Sequence, residues 1–295
     1  MKTPRRLLGA LLLGAVSLMA ADVPPAPLSD AESAAWVAAN LDTVMQKKDF
    51  PASHGFTLPY RLFVPADYSA AKKYPLLVYL HGRGERGIEN GARLYNNSGL
   101  FQGSRSIVGP NMQHRFPCIV LVPQCSDKTV NEEWARWVGN TPETPFLGLG
   151  KDGSYVQAAE PSDSGRAVLE LIDTLLRDYA IDAHRVYLTG ISMGGFGTWE
   201  YIMRRPELFA AAVPMAGYSD PSKEDRVRSI PIWIFHGSAD EYNPVQGSRT
   251  MYRLLRAAGA NVRYTEYPDT KHGDTFKKAW AEPGLLPWIF AQRKP

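Results

Sequence analysis

The chain has 295 residues, 44% of them hydrophobic and 21% charged, with a formal net charge of +3. That balance excludes disordered, collagenous and coiled-coil chains and leaves room for a large apolar core. Lys2, Arg5 and Arg6 account for the whole excess of positive charge and no basic stripe follows them, so nucleic acid is not an expected partner.

Those three cations head "MKTPRRLLGALLLGAVSLMA". A basic start, an apolar run and then small residues form the three-part pattern of a secretory signal peptide, assigned here to residues 1–20. The run falls short of the roughly 20 apolar residues that cross a bilayer. Cleavage is expected near Ala20 or Ala21, leaving a periplasmic or secreted chain without stable membrane insertion. Residues 21–52 read as a Pro/Ala-rich lead-in followed by a helix over "SDAESAAWVAANLDTVMQKK", with Ser29 and Glu32 in capping-box spacing.

Residues 53–295 alternate between strand-like and helix-like segments. "LPYRLFVP", "YPLLVYLHG", "CIVLVPQ", "RVYLTG", "AAAVPMAG", "IPIWIFHG" and "NVRYTEYP" are short, largely apolar and bounded by turn residues, as buried parallel strands are. "SDSGRAVLELIDTLLRDYA" sets Val168, Ile172, Leu175, Leu176 and Tyr179 on one helical face, and "GSRTMYRLLRAAGA" and "PWIFAQRKP" supply later helices. The alternation predicts an α/β fold with a mostly parallel central sheet and helices on both faces, and a site at the carboxyl ends of the strands. Two connections, about residues 83–116 and 126–162, are longer than ordinary loops. Cys118 and Cys125 flank a buried strand whose seven residues span roughly 23 Å, beyond the reach of a disulfide, so two buried thiols are expected. No cysteine or histidine cluster has ligand spacing; neither a metal nor a cofactor is expected.

One stretch breaks local rules. "LTGISMGGFGTWE" crowds Gly190, Gly194, Gly195 and Gly197 around Ser192 where a helix should begin, although each glycine there costs about 1 kcal/mol relative to alanine. Gly190–Gly194 fits G-x-S-x-G directly after a strand, the context of a nucleophile elbow. A serine hydroxyl needs a base, and in this arrangement an acid and then a histidine follow it along the chain. His236 precedes Asp240 in "IPIWIFHGSADEYNPV", so chain order leaves His272, in the loop "YPDTKHGDTF", as the base and Asp240 as the orienting acid, with Glu241 and Asp274 as weaker alternatives. His236 is expected to serve the strand-end turn. An oxyanion needs two donors. They are assigned to the backbone N–H groups of Met193, just after the serine, and Arg83, in the "LHGRGERG" loop. Trp134, Trp137 and Tyr242 are candidate substrate walls, with core packing as the alternative reading.

These motifs, with "LPYRLFVPADYSAAKKYPLLVYLHGRGERGIEN", "VPQC" and "PELFAAAVPMAGYSDP", resemble the α/β-hydrolase superfamily, in particular secreted phospholipase/carboxylesterase and feruloyl-esterase-like proteins often labelled predicted peptidases. The resemblance extends over most of residues 58–275 and implies the same roles for Ser192, Asp240, His272, Arg83 and Met193. It implies an esterase acting on small-molecule or carbohydrate-linked acyl esters, including acetyl and feruloyl groups. "TKHGDTF" lacks the tryptophan that often follows this histidine in related esterases. Two other readings compete: a peptidase of the prolyl-oligopeptidase type, which needs no change of triad, and a binding module on a degenerate scaffold, which the filled catalytic positions disfavour.

Overall fold

The computed structural model describes residues 27–95, 99–127, 137–139, 153 and 155–295. The expected signal peptide and Trp134 lie outside the described residues. Among the described residues, no helix is long and apolar enough to cross a membrane.

Eight strands form one sheet in the order β1-β2-β4-β3-β5-β6-β7-β8. They are β1 (Gln46–Pro51), β2 (Thr57–Phe63), β3 (Tyr74–Leu80), β4 (Ile119–Pro123), β5 (Ile181–Ile191), β6 (Ala211–Met215), β7 (Ile232–Gly237) and β8 (Val262–Tyr267). β1 and β2 pair antiparallel at one edge, and from β4 to β8 every pairing is parallel. β3 is buried along its whole length because both faces are covered. Leu76, Val78 and Leu80 face a core shared with α3 (Asp163–Asp178), α4 (Met193–Arg204) and α5 (Val245–Ala257). The alternating Leu77 and Tyr79 face a second core with α6 (His272–Ala281) and α7 (Leu285–Ala291).

The first helix, α1 (Asp30–Val44), has the expected capping box: Ser29 Oγ accepts from the Glu32 N–H, and Glu32 accepts from the Ser29 N–H at 2.9 Å. It ends four residues before the sequence reading put its end. "QKKDFP" instead becomes edge strand β1, with alternating burial, so the 21–52 segment contributes to the sheet as well as leading into it. The described residues of the 83–116 connection include 3-10 turns and α2 (Pro110–Arg115). Cys118 and Cys125 are buried thiols on either side of β4, as expected.

Candidate active site

β5 and α4 meet at Ser192 with no intervening loop. The reversal puts Ser192 at φ 54°, ψ −116°, a conformation that costs a non-glycine residue about 1–3 kcal/mol. The surrounding bonds hold it there: the Ser192 N–H donates to the Met215 carbonyl at 2.9 Å, and its own carbonyl accepts from Phe196 at 3.1 Å. The glycines answer to close backbone approach. A Cβ on Gly194 would lie 2.0 Å from the Leu80 carbonyl oxygen, and one on Gly190 would lie 2.2 Å from the Gly194 carbonyl oxygen. No side chain fits at either position, so the turn requires both glycines.

The elbow delivers Ser192 Oγ to a point 2.8 Å from His272 Nε2. His272 comes from 80 residues downstream. It is the first residue of α6, not a loop residue as the sequence suggested. Its Nδ1 lies 2.6 Å from Asp240 Oδ2, which fixes the proton on Nδ1 and leaves Nε2 to accept from the serine. Asp240 follows β7, and its Oδ1 accepts from the N–H groups of Tyr242 at 2.9 Å and Asn243 at 2.8 Å. Burial opposes ionisation of Asp240. Hydrogen bonds from His236, His272 and the Asn243 N–H, with the His272 charge, outweigh it and hold the carboxyl well below the usual carboxylate range.

The alternative acids have other partners. Glu241 accepts the His272 N–H at 3.1 Å, an anion at the start of a helix. Asp274 pairs with Lys277 at 3.1 Å.

The Dienelactone hydrolase family pattern matches residues 155–281. The crystal structure of a thermostable esterase is 36% identical, with a TM-score of 0.72 over 85% of this chain and 64% of that one. The chain has the α/β-hydrolase fold. The chain is also similar to the bifunctional acetylxylan esterase/xylanase of Neocallimastix patriciarum, 30% identical over 117 residues, which make up 38% of this chain and 17% of that protein. The feruloyl esterase module of Clostridium thermocellum complexed with sinapinate is 16% identical with a TM-score of 0.56, covering 84% of this chain and 88% of that one, a likeness of fold. The chain spans less than half the length of the curated relatives it matches.

In this fold the expected oxyanion loop runs from the end of β3 and is anchored from beneath. His81 is fully buried; its Nε2 accepts from the Cys125 N–H at 2.9 Å and its Nδ1 faces the Gly82 carbonyl at 2.6 Å. That pairing requires the neutral Nδ1–H tautomer, and burial pushes the His81 pKa down to about 4. Arg83 opens a 3-10 turn with its side chain exposed, and Met193 opens α4, so the N–H groups of both start helical turns and have no acceptor within them.

Three residues that sequence reasoning missed support the same loop. Arg61, buried in β2, pairs with Asp42 at 3.0 Å and donates to the Asn90 carbonyl at 2.7 Å. Gln124 accepts from the Asn90 N–H at 2.7 Å and donates to the Glu85 carbonyl at 3.1 Å. An arginine in an otherwise apolar strand was the available signal.

Tyr242 is 73% exposed and meets the His272 ring edge-on at 5.3 Å, while Phe276 packs against that ring at 5.0 Å. Trp137 is enclosed. Its indole N–H donates to the His81 carbonyl at 3.0 Å, so it supports the loop from within the core and is not an open wall. His236 does more than close the strand-end turn: its Nε2 lies 3.3 Å from Asp240 Oδ2 and 3.0 Å from the Asn243 carbonyl.

Proposed function

We propose that this protein is an exported serine esterase that cleaves carboxylic acyl esters, including acyl groups carried on carbohydrate, through an acyl-enzyme. One observation carries the reading: an outward hydroxyl at a strained elbow lies 2.8 Å from an imidazole whose other nitrogen is 2.6 Å from an ionised carboxylate. Ser192 Oγ attacks the acyl carbonyl as His272 Nε2 takes its proton, and Asp240 stabilises the imidazolium. The N–H groups of Met193 and Arg83 receive the oxyanion. His272 then protonates the leaving alcohol oxygen as the C–O bond breaks. A water, deprotonated by the same imidazole, releases the acid and restores Ser192.

Tyr242 offers an exposed ring beside the base for an acyl or sugar face. The leader at residues 1–20 supports export, and the similarity to an acetylxylan esterase supports carbohydrate-linked esters. The test is a turnover panel of acetyl, butyryl and feruloyl esters beside matched peptide amides, using the chain from residue 21. The expected result is kcat/KM for at least one ester more than 10²-fold above every amide. A preference for the amides would replace the esterase reading with the peptidase one.

A further inference from the structure

The amino ends of the parallel strands carry a second concavity that the triad does not use. It has a volume of about 480 Å³ and is floored by Tyr74 at the start of β3 and by Phe116 and Phe290. That size falls within the range of small-molecule sites. β3 runs from this groove to the His81 loop, and its seven residues set the two sites about 20 Å apart. A small molecule bound here cannot touch Ser192.

The charge in the groove is one-sided. Lys72, Lys73, Arg115 and Arg185 line it against the single carboxylate of Asp67. Asp67 reaches only Lys72, at 3.9 Å, and both of those side chains are well exposed, so that pair neutralises little. Among the described residues no carboxylate lies within ion-pair distance of Lys73, Arg115 or Arg185; the nearby Asp182 is committed to Arg293 at 2.6 Å. Arg185 donates through Nε to the Tyr187 hydroxyl at 3.3 Å, which leaves its terminal nitrogens for another acceptor. The Arg115 guanidinium lies over the Phe116 ring at 5.0 Å, and Phe116 is stacked on Phe290 at 4.9 Å and 17°. The Arg115 fork is thus seated on a stacked aromatic pair.

Like charges gathered in a concavity repel one another until an anion enters. Guanidinium forks match a carboxylate in two parallel hydrogen bonds, which a point charge does not. Stacked rings favour a flat or ring-shaped body next to that carboxylate. From this juxtaposition we infer a second, non-catalytic binding site for a ring that carries a carboxylate. Two sources share that chemistry: a free aromatic acid and a uronate residue of an acidic polysaccharide. The inference does not depend on the esterase reading, because binding is measured without turnover.

The test is calorimetric titration of the full chain from residue 21 with ferulate, with a galacturonate disaccharide, and with their neutral counterparts ethyl ferulate and xylobiose, all on Ser192→Ala so that the ester persists. Saturable binding of at least one acid is expected, at least tenfold tighter than its neutral counterpart. It should weaken at least tenfold in Arg115→Ala and in Arg185→Ala on that background. Binding of ferulate alone assigns the site to aromatic acids, and binding of the disaccharide alone assigns it to acidic carbohydrate. Lys73→Glu changes an exposed side chain with no structural partner and should weaken binding while leaving the circular dichroism spectrum unchanged, which guards against misfolding of the arginine variants. On the wild-type background, Arg115→Ala should leave hydrolysis of a short p-nitrophenyl ester unchanged. Absence of saturable binding by both acids, equal affinity for the neutral counterparts, or indifference to all three substitutions would overturn the site.

Discussion

Replacing Asp240 by asparagine tests the orientation of the base, and the structure dictates which way the amide must turn. Asp240 Oδ1 accepts two backbone N–H groups, at 2.9 and 2.8 Å, and these donors cannot move without unfolding the turn. Placing an amide NH₂ against them would leave both unpaired, at about 1–3 kcal/mol each. The asparagine oxygen therefore keeps that position, and its NH₂ faces His272 Nδ1, 2.6 Å away in the native protein. Nδ1 must become an acceptor, so the proton moves to Nε2, which then donates to Ser192 and cannot take its proton. Loss of the correct tautomer costs about 10⁴-fold in kcat, or about 5.4 kcal/mol at 1.36 kcal/mol per decade. The buried carboxylate has no exposed side-chain surface through which to touch a substrate, so KM should change little. The assay is steady-state hydrolysis of p-nitrophenyl acetate, with near-ultraviolet circular dichroism to verify the fold. Asp274→Asn serves as the control, because its carboxylate pairs with Lys277 and it should retain full activity. A kcat for Asp240→Asn within tenfold of wild type would refute the reasoning.

Two further outcomes follow from the oxyanion loop. Arg83→Pro removes the backbone N–H together with the exposed side chain, at a position that follows extended Gly82 and suits proline. It should lower kcat by about 10²–10³-fold, whereas Arg83→Ala, which removes an exposed side chain, should retain activity; equal kcat for the two variants would dismiss that N–H as a donor. His81 stays neutral in the folded protein down to about pH 4, while in the unfolded chain it titrates near the ordinary histidine value of about 6.5. Below pH 6.5 the unfolded state alone takes up the proton, so stability falls with acidification down to about pH 4, by up to about 1.4 kcal/mol per unit. Urea unfolding at pH 7, 6 and 5 should show this slope, and it should be shallower in His81→Gln; identical slopes would contradict the assignment.

Much of the site was legible because its chemistry forces unusual sequence. The elbow leaves no room for side chains at Gly190 and Gly194, so the glycines mark it directly. Chain order alone separates His272 from His236. The central strands were legible because burial on both faces makes them continuously apolar, as in "YPLLVYL". β1 was not, because an edge strand with one solvated face tolerates "QKKDFP", which extends a helix as readily as it pairs with β2. The supports of the site were also hidden. The side-chain hydrogen bonds of Arg61, Asn90 and Gln124 join residues up to 42 apart, and no local pattern encodes such pairings. Trp137 has a residue type that fits either a substrate wall or a core, and only its complete enclosure separates the two.

The central claim is that Ser192 is a nucleophile activated by His272. The most direct measurement is peptide mapping by mass spectrometry after treating the folded chain with a fluorophosphonate. The account predicts one adduct per chain, located on Ser192 and absent from His272→Ala at the same exposure. An unlabelled chain, or an adduct confined to another residue, would contradict it.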